Sequence, residues 1–178
     1  MTKNNSVAKQ LPGFLETLWR FAYRLTQSSE TAQELTQKTC LRALEYQASF
    51  GGGSLKSWLF KIMHNLWRDE VRYNARAGLK LVTETNTSRV DHIASTDNPE
   101  RQMLLQEVQR MINQLPEAQR TALLLTAVEG FTYKETSDIL KVPVGTVMSR
   151  VARAREKIGQ SVLQDEISPD LQSPRYLS

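Results

Sequence analysis

The sequence predicts an all-α protein made of two small helical domains joined by a flexible linker. Three observations lead there. Apolar residues recur at spacings of three and four along nearly every periodic stretch, and no useful length alternates as a half-buried strand would. Between Ala77 and Pro99 that repeat lapses into Thr83, Thr85, Asn86, Thr87, Ser88, Ser95, Thr96, Asp97 and Asn98, the composition of a polar tether. Elsewhere the periodic stretches are bounded by residues that start or stop helices.

The first helix is carried by Phe14, Leu15, Leu18, Ala22 and Leu25, which fall on one stripe, and the second by Ala32, Leu35, Thr39, Ala43 and Tyr46. Gln27-Ser28-Ser29 supplies turn and cap residues between them. Gly51-Gly52-Gly53 ends the second helix, and Ser54 caps a third in which Leu55, Trp58, Leu59, Ile62 and Leu66 repeat at helical spacing. Tyr73 continues that stripe. Trp67 lies off it, which leaves open whether it stacks on bases or packs against the linker.

After the linker, Leu104, Val108, Met111, Ile112 and Leu115 resume a helix that Pro116 interrupts. Glu117 to Val128 forms another, with Gly130 as its stop. Thr132-Tyr133-Lys134-Glu135 has the spacing of a capping box for a short helix to about Leu140, Lys141-Val142-Pro143 makes a turn, and Val144 to Ile158 forms the last helix. The expected boundaries are residues 11–75, a linker over 76–99, a second domain over 100–160 and a frayed tail over 161–178.

Composition narrows the function. The 178 residues are 40% hydrophobic and 24% charged, a globular balance. One cysteine, Cys40, excludes an intrachain disulfide, and two distant histidines leave no zinc-type cluster, so neither a metal nor another cofactor is expected. The polar start and the lack of an apolar run of roughly 18 residues signal neither export nor membrane insertion, which makes the cytoplasm the expected setting. The net charge of +4 is unevenly spread. Residues 11–78 hold nine basic and six acidic side chains, residues 132–160 six and three, and the stretch between them five and seven. Two basic blocks therefore flank a weakly acidic middle, as a polyanion-binding chain would arrange them.

Thr132 to Lys157 reads as helix, three-residue turn, and a helix with two faces. Val147, Val151, Ala154 and Ile158 form the inward stripe; Thr146, Ser149, Arg150, Arg153 and Lys157 form a basic one. Arginines there can pair with guanine edges or phosphates, and the hydroxyls can donate to phosphate near the helix start. The third helix repeats the theme less specifically with Lys61, His64, Asn65, Arg68 and Arg72 away from its apolar stripe. Catalysis finds no support: the Gly51 to Ser57 stretch lacks the Gly-Lys-Ser/Thr core of a phosphate loop, and His64 and Cys40 have no orienting third group.

Leu115-Pro116-Glu117, Glu129 to Glu135 and Val142 to Arg155 together resemble the minus-35 domain of the group 4, extracytoplasmic-function (ECF) sigma factors of bacterial RNA polymerase. Ala32 to Leu44, Ser57 to Ile62 and Asn65-Leu66 resemble the domain of that family which grips the polymerase and opens the minus-10 element. The resemblance covers about residues 11–160 and identifies the two domains as sigma domain 2 and a helix-turn-helix sigma domain 4. It implies a non-enzymatic initiation factor whose partners are core RNA polymerase (the beta-prime clamp helices and the beta flap), promoter DNA and an anti-sigma factor.

The same resemblance distributes roles. Glu34 and Gln37, with Gln33 and Lys38, would meet the clamp. Ser49, Phe50 and Ser54 in the loop, with Lys61, His64, Asn65 and Arg68, would hold the minus-10 strand. Thr146, Ser149, Arg150, Arg153 and Lys157 would engage the minus-35 duplex. Gln33 and Lys38 replace residues that are usually acidic in the family, which implies weaker clamp contact unless negative charge is added, for instance by phosphorylation of Thr36 or Thr39. A sigma-like decoy that titrates an anti-sigma factor, and a stand-alone helix-turn-helix regulator, are the alternative readings.

Overall fold

In the computed structural model, which describes residues 4–78 and 99–167, helices α1 (Asn4–Gln10), α2 (Leu15–Thr26), α3 (Ser29–Glu45) and α4 (Leu55–Arg76) form the N-terminal half. Helices α5 (Pro99–Gln114), α6 (Glu117–Leu123), α7 (Tyr133–Leu140) and α8 (Val144–Ile167) form the C-terminal half. Among the described residues there is no strand, so the all-α expectation holds. Most of the expected linker and the tail from residue 168 lie outside the described residues.

The expected caps are in place. Ser28 Oγ accepts from Thr31 N at 3.2 Å and Ser54 Oγ from Ser57 N at 3.1 Å, satisfying amide donors that a helix start leaves unpaired. Thr132 and Glu135 close a reciprocal capping box: Glu135 N donates to Thr132 Oγ1 (3.2 Å) and Thr132 N to Glu135 Oε2 (2.9 Å). Those bonds hold the Glu135 carboxyl below its ordinary pKa, since they favour its ionised form.

Three details depart from expectation. The polar start contains α1, whose Val7 is fully buried against the core. Helix α8 runs past residue 160 to Ile167. Tyr46, assigned to the buried stripe of α3, is half exposed, because the helix ends at Glu45 and leaves it as the C-cap.

Leu18, Phe21, Ala22 and Leu25 of α2, Ala32, Leu35 and Ala43 of α3, and Leu55, Leu59, Phe60 and Met63 of α4 are buried together. Leu123, Leu124, Leu125, Ile139, Val147, Val151 and Ala154 do the same in the C-terminal half. The two sets are continuous. Phe60 lies tilted against Phe21 of its own half with ring centroids 4.9 Å apart and meets Phe131 edge-on at 5.1 Å from the other, a favoured arrangement for ring quadrupoles.

Candidate nucleic-acid interface

On α8 the two faces separate as their spacing requires. Val147, Val151 and Ala154 are buried, Ser149, Arg153 and Lys157 are exposed, and Thr146 and Arg150 lie between these extremes. Pro143 O accepts from Thr146 N at 2.9 Å and from Val147 N at 3.2 Å, so the turn hands directly into the helix. Ser137 Oγ ties the turn to α7 through Val142 O at 2.8 Å. The Ser149 hydroxyl donates to Thr146 O at 3.0 Å and keeps a lone pair outward.

Gln33, Glu34, Gln37 and Lys38 share the exposed face of α3. Lys38 Nζ sits 3.2 Å from Glu34 and 3.7 Å from Glu70, so two carboxylates on adjacent helices offset its charge. Leu41, 62% exposed, extends this face by one turn. Thr36 and Thr39 point the other way. Both are buried, and their hydroxyls donate to Ala32 O and Leu35 O at 2.7 Å. The expectation that either accepts a phosphate is therefore corrected: a buried, bonded hydroxyl on the inner face of a helix is closed to a kinase.

The Ser49–Ser54 loop is held open by Gly52 and Gly53 at φ 99° and 86°, backbone conformations that side chains with a Cβ rarely adopt. Ser49 and Ser54 are exposed, while Phe50 folds back onto Trp58 with ring centroids 5.3 Å apart.

Helix α4 departs furthest from its sequence reading. Its buried residues include Phe60, Met63 and Trp67 beside the expected Leu55 and Leu59, whereas Trp58, Ile62 and Leu66 are half buried. Trp67 is buried, and its Nε1 donates to Glu117 Oε1 of α6 at 2.9 Å. The helix thus has a second apolar edge, and α7 packs along it. Lys61, His64, Asn65 and Arg68 border that contact and are all partly covered. His64 Nδ1, Asn65 Oδ1 and Arg68 Nε are buried with no hydrogen-bond partner among the described residues. Burial first, then the positive charges of Arg68, Arg150 and Lys141, lower the pKa of His64 to about 4. Arg150 of the expected minus-35 set and His64 of the expected minus-10 set are thus brought into one electrostatic neighbourhood.

Sequence reasoning assigned no role to the residues that make this junction. Glu129, whose side chain is 6% exposed, lies 3.7 Å from Arg24 and 3.4 Å from Lys56. Its carbonyl accepts from Lys56 Nζ at 2.6 Å. The wide turn Leu124–Val128, closed by Glu129 N on Leu124 O, presents both groups. Lys56 Nζ also stands 5.0 Å over the Phe131 ring, and Arg120 Nη2 of α6 donates to Leu25 O at 3.3 Å. The available signal was Phe60, Met63 and Trp67 themselves, spaced three and four apart. Among the described residues no group of acids, histidines and cysteine is placed to hold a metal, and no helix is long and apolar enough to cross a membrane.

Residues 14–77 match the family described as Sigma-70 region 2, and residues 105–158 match Sigma-70, region 4. The chain is similar to the ECF RNA polymerase sigma factor EcfG of Rhodopseudomonas palustris, 32% identical over 96% of this chain and 94% of that one. The ECF RNA polymerase sigma factor SigC of Mycobacterium tuberculosis is 34% identical over 86% and 81%. Among solved structures, the sigma factor RpoE of Bartonella quintana, in complex with the anti-sigma factor NepR, superposes with a TM-score of 0.73 at 30% identity, covering 89% of this chain and 97% of that one. CnrH, at a TM-score of 0.60 and 22% identity, shares the fold.

Proposed function

The chain belongs to the ECF sigma factors of bacterial RNA polymerase, and from that premise we propose how its residues divide the work of initiation. It is an alternative sigma factor that binds core polymerase and directs initiation at particular promoters; it catalyses no reaction itself. The observation that carries this is the pairing of both sigma-70 regions on one chain with a relative matched over nearly its whole length.

The clamp helices of the polymerase are met by Gln33, Glu34, Gln37 and Lys38, whose common exposure on α3 supports the assignment. The loop residues Ser49, Phe50 and Ser54, with Lys61, His64, Asn65 and Arg68, hold the minus-10 strand, where each unstacked base must be compensated by contacts to the single strand. Thr146, Ser149, Arg150, Arg153 and Lys157 engage the minus-35 duplex. Residues 11–75 and 100–160 are the two domains, and the segment 76–99 tethers them, so that each site raises the effective concentration of the other. The protein works beside the polymerase in the cytoplasm, and an anti-sigma factor holds it in check, as NepR is bound to the RpoE relative.

Size-exclusion chromatography with core polymerase at moderate salt tests this reading. Wild type co-elutes with the polymerase, and Glu34→Lys combined with Gln37→Ala weakens the complex at least tenfold, the loss expected when charge-assisted contacts disappear. A folded wild type that stays separate from the polymerase overturns it.

A further inference from the structure

We propose that α1 braces the minus-10 loop, and that Val7 is the positioning residue through which it holds the turn Gln47–Ser49, and with it the Ser49–Ser54 loop, in the geometry that selects bases. The inference rests on the reading of Ser49, Phe50 and Ser54 as strand contacts and adds what positions them. Residues 4–10 lie outside the stretch matched to Sigma-70 region 2, which begins at residue 14.

The crest of the loop cannot fix its own position. At Gly51, Gly52 and Gly53 no atom beyond the chain neighbours lies within 4 Å of where a Cβ would stand, and the last two sit at φ 99° and 86°. Such a run has wide backbone freedom, which is lost when a strand is gripped unless the loop is already ordered. Its two ends must therefore place it. Downstream, Ser54 is fastened to α4: its Oγ accepts from Ser57 N at 3.1 Å and its carbonyl from Trp58 N at 3.1 Å. Upstream, α3 has ended at Glu45 and the chain makes one tight turn, Gln47–Ser49. The bonds there are local. Ser49 N and Ser49 Oγ both donate to Tyr46 O, at 2.8 and 2.7 Å, and Phe50 N donates to Gln47 O at 3.2 Å.

None of the three residues of that turn is buried, so it has no apolar anchor of its own. Phe50 ties its far end to α4 by lying on Trp58, with centroids 5.3 Å apart, and α1 packs against both the turn and α3. A helix of seven residues is too short to persist in water by itself, so tertiary contact must hold α1 in place. Val7 supplies that contact. It is fully buried and belongs to the same core cluster as Leu11 and Ala43. Being buried, Val7 reaches no strand and acts only through position. Truncating it loosens α1, the turn loses its support, and the strand-holding residues lose their preset arrangement.

Hydrogen exchange on the full free chain tests the brace. Val7→Ala is expected to speed exchange of the Ser49 and Phe50 amides at least fivefold and to leave the Trp58 amide, bonded to Ser54 O, unchanged. Val7→Ile keeps the wild-type rates. Val7→Thr, equal in shape but with a hydroxyl in an apolar site, repeats the alanine effect and serves if that variant fails to fold. The second arm is binding of the holoenzyme to a forked promoter whose minus-10 non-template strand is single. At the most selective position of that strand, Val7→Ala lowers the affinity ratio between the preferred and the least favoured base at least threefold, and Val7→Ile restores it. Binding to core polymerase and to a minus-35 duplex stays at the wild-type level. Unchanged loop exchange in both Val7→Ala and Val7→Thr at wild-type helicity overturns the brace. Faster exchange with an unaltered base ratio overturns its part in selection, and an equal loss on the fork, the minus-35 duplex and the polymerase reduces Val7 to general stability and overturns it too. A wild-type holoenzyme that discriminates no base in the strand sinks the minus-10 reading separately, since exchange is read without DNA.

Discussion

Lys141 holds the turn between α7 and α8 at φ 54°, a left-handed conformation in which a Cβ is strained. Glycine fits there without that strain, although its freer unfolded chain offsets part of the gain. Lys141→Gly is therefore expected to stabilise the protein by roughly 0.5–1 kcal/mol, read as a higher urea midpoint at unchanged slope. An unchanged or lower midpoint would mean that the lysine earns its position by a contact that outweighs the strain.

His64 carries the clearest dependence on pH. Its pKa falls from 6.5 to about 4 on folding, through burial and then the charges of Arg68 on α4, Arg150 on α8 and Lys141 at the end of α7. Between those values the unfolded chain binds the extra proton, so stability is complete above pH 6.5 and declines as the pH falls toward 4. The slope is on the order of 1 kcal/mol per pH unit within that window. Urea unfolding at pH 7 and pH 5 should show the loss in wild type and a shallower one in His64→Gln. Equal slopes in the two proteins would place the acid sensitivity elsewhere.

At the scale of elements, α8 and α4 behave differently under the same rule. In α8 one apolar stripe and one basic stripe lie side by side, and the burial of Val147, Val151 and Ala154 follows the spacing. Its exposed arginines are therefore the residues to change. Arg153→Ala in the holoenzyme should weaken promoter binding and lower the slope of log affinity against log salt by about 1, as loss of one phosphate contact does. Unaltered affinity and slope would put Arg153 off the DNA. The same periodicity misleads in α4, because a helix of 22 residues buried on two sides has two apolar edges. The stripe through Leu55 and Leu59 was visible as the core of the first domain. Phe60, Met63 and Trp67 form the second edge, but a lone helix gives no sign of what covers it. Caps were legible for the opposite reason, since Ser28, Ser54 and Thr132 bond to amides only three residues ahead.

For the whole molecule, local pattern and resemblance were enough for the helical class, the helix-turn-helix, the order of the two sigma regions and the exposed face of α3. Each depends on residues a few positions apart or on a motif read along the chain. The junction does not. Lys56 and Glu129 are 73 positions apart, and Trp67 and Glu117 are 50 apart. Neither partner carries a local mark of the other. A buried ion pair is also opposed by desolvation, so nothing in the residues alone says that Arg24, Lys56 and Glu129 will meet rather than stay in water. The sequence by itself determined most of the helices and the solvent-facing stripes of α3 and α8, because periodicity and capping are short-range. Only the tertiary structure decided that the polar face of α4 is partly covered by the other half of the chain, because that follows from how two apolar edges far apart in sequence find each other.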